Sequence, residues 1–327
     1  MTVKIKKLLK KIIPKKIINF IQRFILPRLV RYDMTLTDTQ REKRLDKKYY
    51  SAVNKHMNFE NPVLFTEKTQ WYKLYYDYPD LSRIVCKYNF KKYVAEKLGS
   101  DKYTIPLYGA WTSVDDIDWD SLPDKLVFKS NCYFGGMNIK IIKDKSAVDW
   151  KKLKEEMRYW LEPQNTLINS MCRAYYDVTP MIIAEEYMEQ LDNQLYDYKF
   201  CCFNGKVHYA LGIMNRFNNG NFPVTYYDMD WNKLDVHQNK HPICDIDKPK
   251  HFDEMIELSE KLSKDFPFVR VDFFETEEHV YLSEMTFYPG DYSNCYEPES
   301  FDKELGDLFI LPPKSPLGRK HRKDLKI

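Results

Sequence analysis

Asn204-Gly205 stands between two runs of strand-forming residues, Tyr198–Phe203 and Val207–Met214. An Asn-Gly pair favours positive φ at both positions, the geometry of the type I′ turn, so the stretch predicts a tight antiparallel hairpin. A second hairpin is predicted downstream, where the charged turn Glu275–Glu278 joins Phe268–Phe274 to His279–Glu284. Shorter apolar runs at Lys125–Lys129, Asn138–Lys143 and Met181–Ala184 predict further strands. Helical periodicity covers Asp38–Met57, Thr66–Asp77, Leu81–Leu98 (closed by Gly99), Lys145–Leu161, His251–Phe266 and Ser300–Leu308. Within Lys145–Leu161 the buried stripe is Val148, Leu153, Met157 and Trp160. Strands that come as hairpins, with helices between them, specify an α+β chain and not a regular βαβ array.

The 43% of hydrophobic residues is enough to build a core and excludes bulk disorder. Seven cysteines without a C-x-x-C pair argue against a disulfide framework or a structural zinc site, and point to a reducing, cytoplasmic setting. Net charge is +3, yet residues 1–31 hold ten Lys or Arg and no acid, leaving 41 basic against 48 acidic residues elsewhere. The body of the chain is therefore acidic, and nucleic acid is not expected as a partner. In the basic segment Ile5, Leu8, Leu9, Ile12 and Ile13 repeat at helical spacing among lysines, with no apolar run long enough to span a membrane. Two readings stand: a helix lying on an anionic membrane surface, on the inner face of the cell membrane, or an amphipathic helix packed against protein.

The downstream hairpin carries the most chemistry. Val269-Arg270-Val271-Asp272-Phe273 and Leu282-Ser283-Glu284-Met285-Thr286 place two carboxylates near facing positions of apolar strands, and alternation projects Arg270, Asp272 and Glu284 from one face. Paired carboxylates repel unless a cation lies between them. Magnesium bridging ATP phosphates would meet that need, because it takes one or two protein carboxylates and completes its shell with phosphate oxygens. A cross-strand ion pair with Arg270 would meet it too, and on these residues alone both readings stand.

Arg-x-Asp followed by Glu-x-Thr and Pro289-Gly290 resembles the metal-binding hairpin of ATP-grasp enzymes. Phe65-Thr66-Glu67-Lys68-Thr69-Gln70-Trp71, Cys86-Lys87-Tyr88, Ile105-Pro106-Leu107-Tyr108-Gly109, Ile183-Ala184-Glu185-Glu186-Tyr187, Asp197–Lys206 and Phe266–Asp272 extend the likeness, in order, to the TupA-like ATP-grasp family of bacterial surface-polysaccharide gene clusters. The resemblance implies an ATP-grasp fold, two α+β subdomains clamping ATP, with a helical N-terminal region. It divides the chain into a basic amphipathic segment (1–31), the helical region (32–112), a lid subdomain (113–188), a catalytic subdomain (189–312) and a basic tail (313–327).

By the same resemblance, Lys87 and Lys129 reach ATP phosphates, as do the backbone groups of Gly135 and Gly136. Glu185, Glu186, Tyr187 and Met188 form the adenine-reading hinge, and Asp197 binds the ribose hydroxyls. Asp272, Glu284 and Thr286 hold Mg²⁺, and Lys199, Arg216 and Arg270 contact phosphate or acyl-phosphate. Thr286 stands where many ATP-grasp enzymes have Asn, although Thr is usual in this family. Where the family has a small Gly-Ser-rich loop with a His, this chain has the bulky Tyr133-Phe134 before Gly135-Gly136. The implied reaction is carboxylate–amine ligation through an acyl-phosphate, on a sugar acid or polysaccharide acceptor with an amine or amino-acid donor. A sugar kinase, a glycosyltransferase using Asp116-x-Asp118, Asp228-x-Asp230 or Asp245-x-Asp247, and a glycan-binding protein with a relic ATP site are the rival readings. Such acids serve more often as turn formers. No P-loop, Rossmann or serine-hydrolase signature is present.

Overall fold

A computed structural model of the chain describes residues 32, 35–132, 138–162, 171–175, 177–188, 196–214, 222–290 and 294–318. Segment 1–31, Gly135, Gly136, Tyr133, Phe134, Arg216 and positions 319–327 of the basic tail lie outside the described residues. Two antiparallel sheets dominate. The smaller contains β1 (Leu107–Trp111), β2 (Leu126–Ser130), β3 (Ile139–Ile142) and β4 (Ile182–Glu186), in the order β1-β4-β2-β3. Its strand β1 begins upstream of residue 113 and pairs with β4. One face is covered by helix α5 (Trp150–Trp160), whose Leu153, Met157 and Trp160 pack with Leu126, Phe128, Ile142 and Ile182.

The larger sheet holds β5 (Asp197–Phe203), β6 (Lys206–Ile213), β7 (Val224–Tyr227), β9 (Phe268–Glu275) and β10 (Val280–Thr286), in the order β10-β9-β5-β6-β7. The β5–β6 turn has Asn204 at φ 50° and Gly205 at φ 79°, as the Asn-Gly signal requires. Strand β5 is buried along its whole length, because β9 and β6 flank it and helix α6 (Phe252–Ser263) covers one face. A short pair, β8 (His237–Gln238) with β11 (Tyr296–Glu297), stands beside this sheet.

The helical N-terminal part comprises α1 (Asp38–Val53), α2 (Phe65–Tyr75), α3 (Leu81–Val85) and α4 (Lys87–Leu98). The sequence predicts one helix over Leu81–Leu98, whereas the chain breaks at Cys86, whose extended backbone ends α3 and starts α4. The C-terminal helix α7 (Glu299–Leu308) docks on α2. Asp302 accepts from Thr66 N at 2.9 Å and Thr66 Oγ1 at 2.7 Å, satisfying a donor in the first turn of α2. Lys68 Nζ donates to the carbonyls of Gly306 and Phe309 at 2.8 and 2.9 Å, where the dipole of α7 favours a cation. No helix among the described residues is long and apolar enough to cross a membrane.

Gly306 permits the α2–α7 approach, because a Cβ there would lie 2.2 Å from the Val63 carbonyl oxygen, a backbone atom that cannot swing aside. Gly306→Ala is expected to lower stability by about 2–3 kcal/mol through overpacking. Urea unfolding of the two proteins checks this, and a midpoint unchanged by the substitution would refute the close-contact account.

Candidate active site

Across three strands of the larger sheet, Glu284 of β10 faces Asp272 of β9, which faces Lys199 of β5. The next row is Thr286, Arg270 and Cys201. A register irregularity between Leu282 and Glu284 places Ser283 as the extra residue, so that Glu284 comes opposite Asp272. The carboxylates of the sequence motif are thus brought together as the alternation predicts.

Asp272 is 0% exposed, and both of its oxygens accept from cationic side chains. Arg270 donates from Nε to Oδ1 at 2.7 Å and from Nη2 to Oδ2 at 2.6 Å, a two-pronged contact that also fixes the guanidinium plane. Lys199 Nζ lies 2.5 Å from Asp272 Oδ2 and 2.7 Å from Asp197 Oδ2. Burial alone would lower the Arg270 pKa, but the charge of Asp272 and its hydrogen bonds outweigh that and hold it above its ordinary value. Glu284 is more open, at 27% side-chain exposure; it accepts from Lys87 Nζ at 3.1 Å and from Thr286 Oγ1 at 3.4 Å, with Arg270 Nη2 at 4.0 Å. Three acids and three bases therefore alternate around the hairpin. Arg270 lies between the two carboxylates, so the ion-pair geometry anticipated from sequence is present.

A second cluster joins the smaller sheet to α4. Glu185, buried near the end of β4, receives Lys129 Nζ of β2 at 2.5 Å and Lys91 Nζ of α4 at 2.7 Å. Lys91 also donates to the Ile105 carbonyl at 2.6 Å. Burial by itself would raise the Glu185 pKa; the two lysines overcome it and bring it down to about 2. Glu186 points outward, Tyr187 and Met188 are buried, and Asp197 sits at the start of β5 bound to Lys199. Lys91 is not among the residues that the sequence motifs single out. Its signal is the four-residue spacing from Lys87, which puts both lysines on one face of a helix.

A cavity of about 350 Å³ opens on the hairpin, and Lys199, Arg270, Glu284 and Thr286 are among its lining residues. Gln238, Asn239 and Asn294 also line it. Gln238 Nε2 and Asn239 Nδ2 donate to Asn294 Oδ1 at 2.9 and 3.1 Å, and Asn294 Nδ2 donates to the Pro289 carbonyl at 3.1 Å, so the carboxamides brace one another. These residues come from short, irregular stretches that carry no periodic signal. The Asp-x-Asp acids take up turn and surface roles: Asp228 Oδ1 accepts from Asp230 N at 3.0 Å and Asn232 N at 2.8 Å, and Asp245 pairs with Lys233 at 2.6 Å. All seven cysteines are free, and burial pushes the Cys201 thiol up to about 12, which leaves it a core group and not a nucleophile.

Among the described residues no three carboxylate, imidazole or thiol groups converge on one point, so the described residues form no all-protein metal cage. Asp272, Glu284 and the Thr286 hydroxyl are instead a hard-oxygen set that suits a cation whose remaining ligands come from phosphate. At Asp272 the lone pair left for a cation is on Oδ1, which takes one hydrogen bond from Arg270 Nε, because Oδ2 takes both Arg270 Nη2 and Lys199 Nζ.

A model of the TupA-like ATPgrasp family matches residues 67–310. Among curated protein sequences, none matches. Similar solved structures include the D-alanine–D-alanine ligase of Bacillus anthracis, 19% identical over 70% of this chain and 68% of that one, with a TM-score of 0.45. The Helicobacter pylori D-alanine–D-alanine ligase is 17% identical over 71% of this chain and 60% of that one, with a TM-score of 0.40. The ATP-grasp ligase PsnB, complexed with a minimal precursor, is 12% identical over 72% and 62%, with a TM-score of 0.39.

Glu185 has a folded-state pKa of about 2 against an ordinary 4.5, so it contributes stability that is fully present above pH 4.5 and is lost as pH falls towards 2. The contribution is on the order of 3 kcal/mol. The stability advantage of the native chain over Glu185→Gln is therefore expected to narrow steadily below pH 4.5, as denaturant unfolding at several pH values would show. An advantage independent of pH over that window would contradict the assignment.

Proposed function

The chain belongs to the TupA-like ATP-grasp family, and from that premise we propose that it is an ATP-dependent carboxylate–amine ligase of bacterial surface-polysaccharide assembly. The observation that supports this reading is Glu284, which lines the cavity with Lys199 and Arg270, faces the buried Asp272 across the strand pair and is bound by Lys87. A carboxylate is a poor electrophile until one oxygen becomes a leaving group. In the proposed reaction its oxygen attacks the γ-phosphorus of ATP, the bond to the β,γ-bridging oxygen breaks, and ADP departs. An amine then adds to the acyl carbon; the C–O bond to phosphate breaks, phosphate carries off that electron pair, and the nitrogen loses a proton.

The residues divide this work by their placement. Lys87 and Lys129 bring positive charge to the phosphates, which have to be held close to the acceptor. Asp272, Glu284 and Thr286 are the residues that would hold magnesium, which would supply charge neutralisation to the phosphates when bound. Arg270 lines the cavity, and with its Nε and Nη2 edge held by Asp272, its remaining guanidinium N–H groups are assigned to the phosphoryl oxygens. Lys199, bound to both Asp197 and Asp272, ties the acid assigned to ribose to the acid assigned to the metal. The buried Ile183 and Met188 supply apolar walls for adenine beside Glu185. Gly135, Gly136 and Arg216 keep their proposed phosphate roles on family resemblance. The acceptor, a sugar acid or glycan carboxylate, occupies the cavity beside Arg270 and the braced carboxamides of Gln238, Asn239 and Asn294. The basic segment 1–31 is proposed to rest on an anionic membrane, where lipid-linked glycans are assembled.

Magnesium-ATP is expected to raise the melting temperature while UDP-sugars do not, since a ligand selective for the native state stabilises it. With substrate, ligation releases ADP and phosphate, whereas a kinase would release ADP alone. Glu284→Gln should lower turnover at least about a hundredfold. Its partly open ion pair with Lys87 limits the stability change to about 1 kcal/mol. Asp272→Asn is different, because it strands Arg270 and Lys199 in the interior and should cost about 3–5 kcal/mol of stability as well as activity. Turnover and denaturant unfolding of both variants test this, and near-normal turnover in Glu284→Gln would remove the proposed metal role.

Deleting residues 1–31 should abolish salt-sensitive sedimentation with anionic vesicles and leave the ATP-induced melting shift in place. Equal pelleting of the full and shortened chains would rule out the membrane contact.

A further inference from the structure

Asn131 is fully buried at the end of β2, and every polar group it owns is engaged with one of two other segments. Its backbone N–H donates to the Met181 carbonyl at 3.1 Å, and its side-chain Oδ1 accepts from Met181 N at 2.8 Å. Its Nδ2 donates to the Thr179 carbonyl at 2.9 Å and to Cys86 Sγ at 3.2 Å. Its own carbonyl accepts from Lys87 N at 2.9 Å. Helix α4 has no side-chain cap at Cys86, so the Asn131 carbonyl takes one of the N–H groups that a helix start leaves without an intrahelical partner.

We propose that Asn131 is the positioning residue that sets Lys87, Lys129 and Glu185 at a fixed spacing. Lys129 lies two residues before it on the same strand, Lys87 opens the helix that it caps, and Glu185 follows four residues after Met181 along β4. Only a carboxamide on a short stem can accept from Met181 and donate to Thr179 at once. An aspartate would set negative oxygen against the Thr179 carbonyl, and an alanine would leave both groups open. The inference rests on the reading of Lys87 and Lys129 as nucleotide-binding lysines, and adds to it a residue that touches no substrate and acts through theirs.

The test is a double-mutant cycle on magnesium-ATP affinity, measured by calorimetry on the full chain carrying Lys87→Met, Asn131→Ala, or both. Two residues acting through one interaction give a non-additive cycle. Lys87→Met should weaken binding about tenfold in the native background and less than about threefold once Asn131 is alanine. Asn131→Ala alone should weaken binding about tenfold, since it keeps the carbonyl that caps Lys87 but loses the side-chain bonds that fix that carbonyl against Thr179, Met181 and Cys86. If alanine at this position does not fold, the small neutral Asn131→Ser serves in the same cycle. Equal effects of Lys87→Met in both backgrounds would overturn the positioning role, as would failure of both Asn131 variants to fold, which makes the residue a requirement of folding. A native chain that does not bind magnesium-ATP refutes the nucleotide site itself, a result distinct from an additive cycle.

Discussion

A carboxylate without solvent is tolerated only where cations replace the lost hydration, and Asp272 sets that condition at the middle of three strands. Arg270 reaches it from two positions away on its own strand, and Lys199 reaches it from β5. The arrangement depends on register. A slip of one residue between β9 and β5 would turn Lys199 to the opposite face and leave Asp272 short of a cation. Strand pairing and site chemistry therefore constrain each other, and the more open Glu284 can be placed beside them because Arg270 and Lys87 answer its charge.

Helix α4 ties this centre to the second sheet. Its first residue, Lys87, binds Glu284 of the larger sheet, and Lys91, one turn on, binds Glu185 of the smaller. Another link lies at the edge of β10, where Leu282 N donates to the Tyr103 carbonyl at 2.7 Å just before the chain enters β1. Two buried or half-buried acids on different sheets thus take their counter-charges from one helix face. A shift of α4 would therefore disturb both clusters together.

Part of the cavity lining is held by a different means. Asn294 accepts from two carboxamides and donates to a backbone carbonyl, so neutral groups satisfy one another there, where Lys199, Arg270 and Glu284 are held by ion pairs.

Local pattern made much of this legible. The Asn204-Gly205 turn, the carboxylate hairpin, the stripe Leu153, Met157 and Trp160, and helices α1, α2, α6 and α7 follow from periodicities of two or about 3.6 residues and from turn chemistry, which act over a few positions. Val148 of that stripe is only half-buried, because it precedes the helix proper. Strands β1, β7, β8 and β11 were not legible, since each is short and exists through partners distant in sequence. The same limit applies within the site. Sequence alternation put Arg270, Asp272 and Glu284 on one face, and family resemblance pointed to Lys87, Lys129, Glu185, Asp197 and Lys199. That Lys199 bridges two acids, that Lys91 completes the Glu185 cluster, and that Asn131 joins three segments were decided only by the tertiary structure. The charge of a side chain is a local property of the chain, but its counter-charge is whatever folding brings within about 3 Å of it.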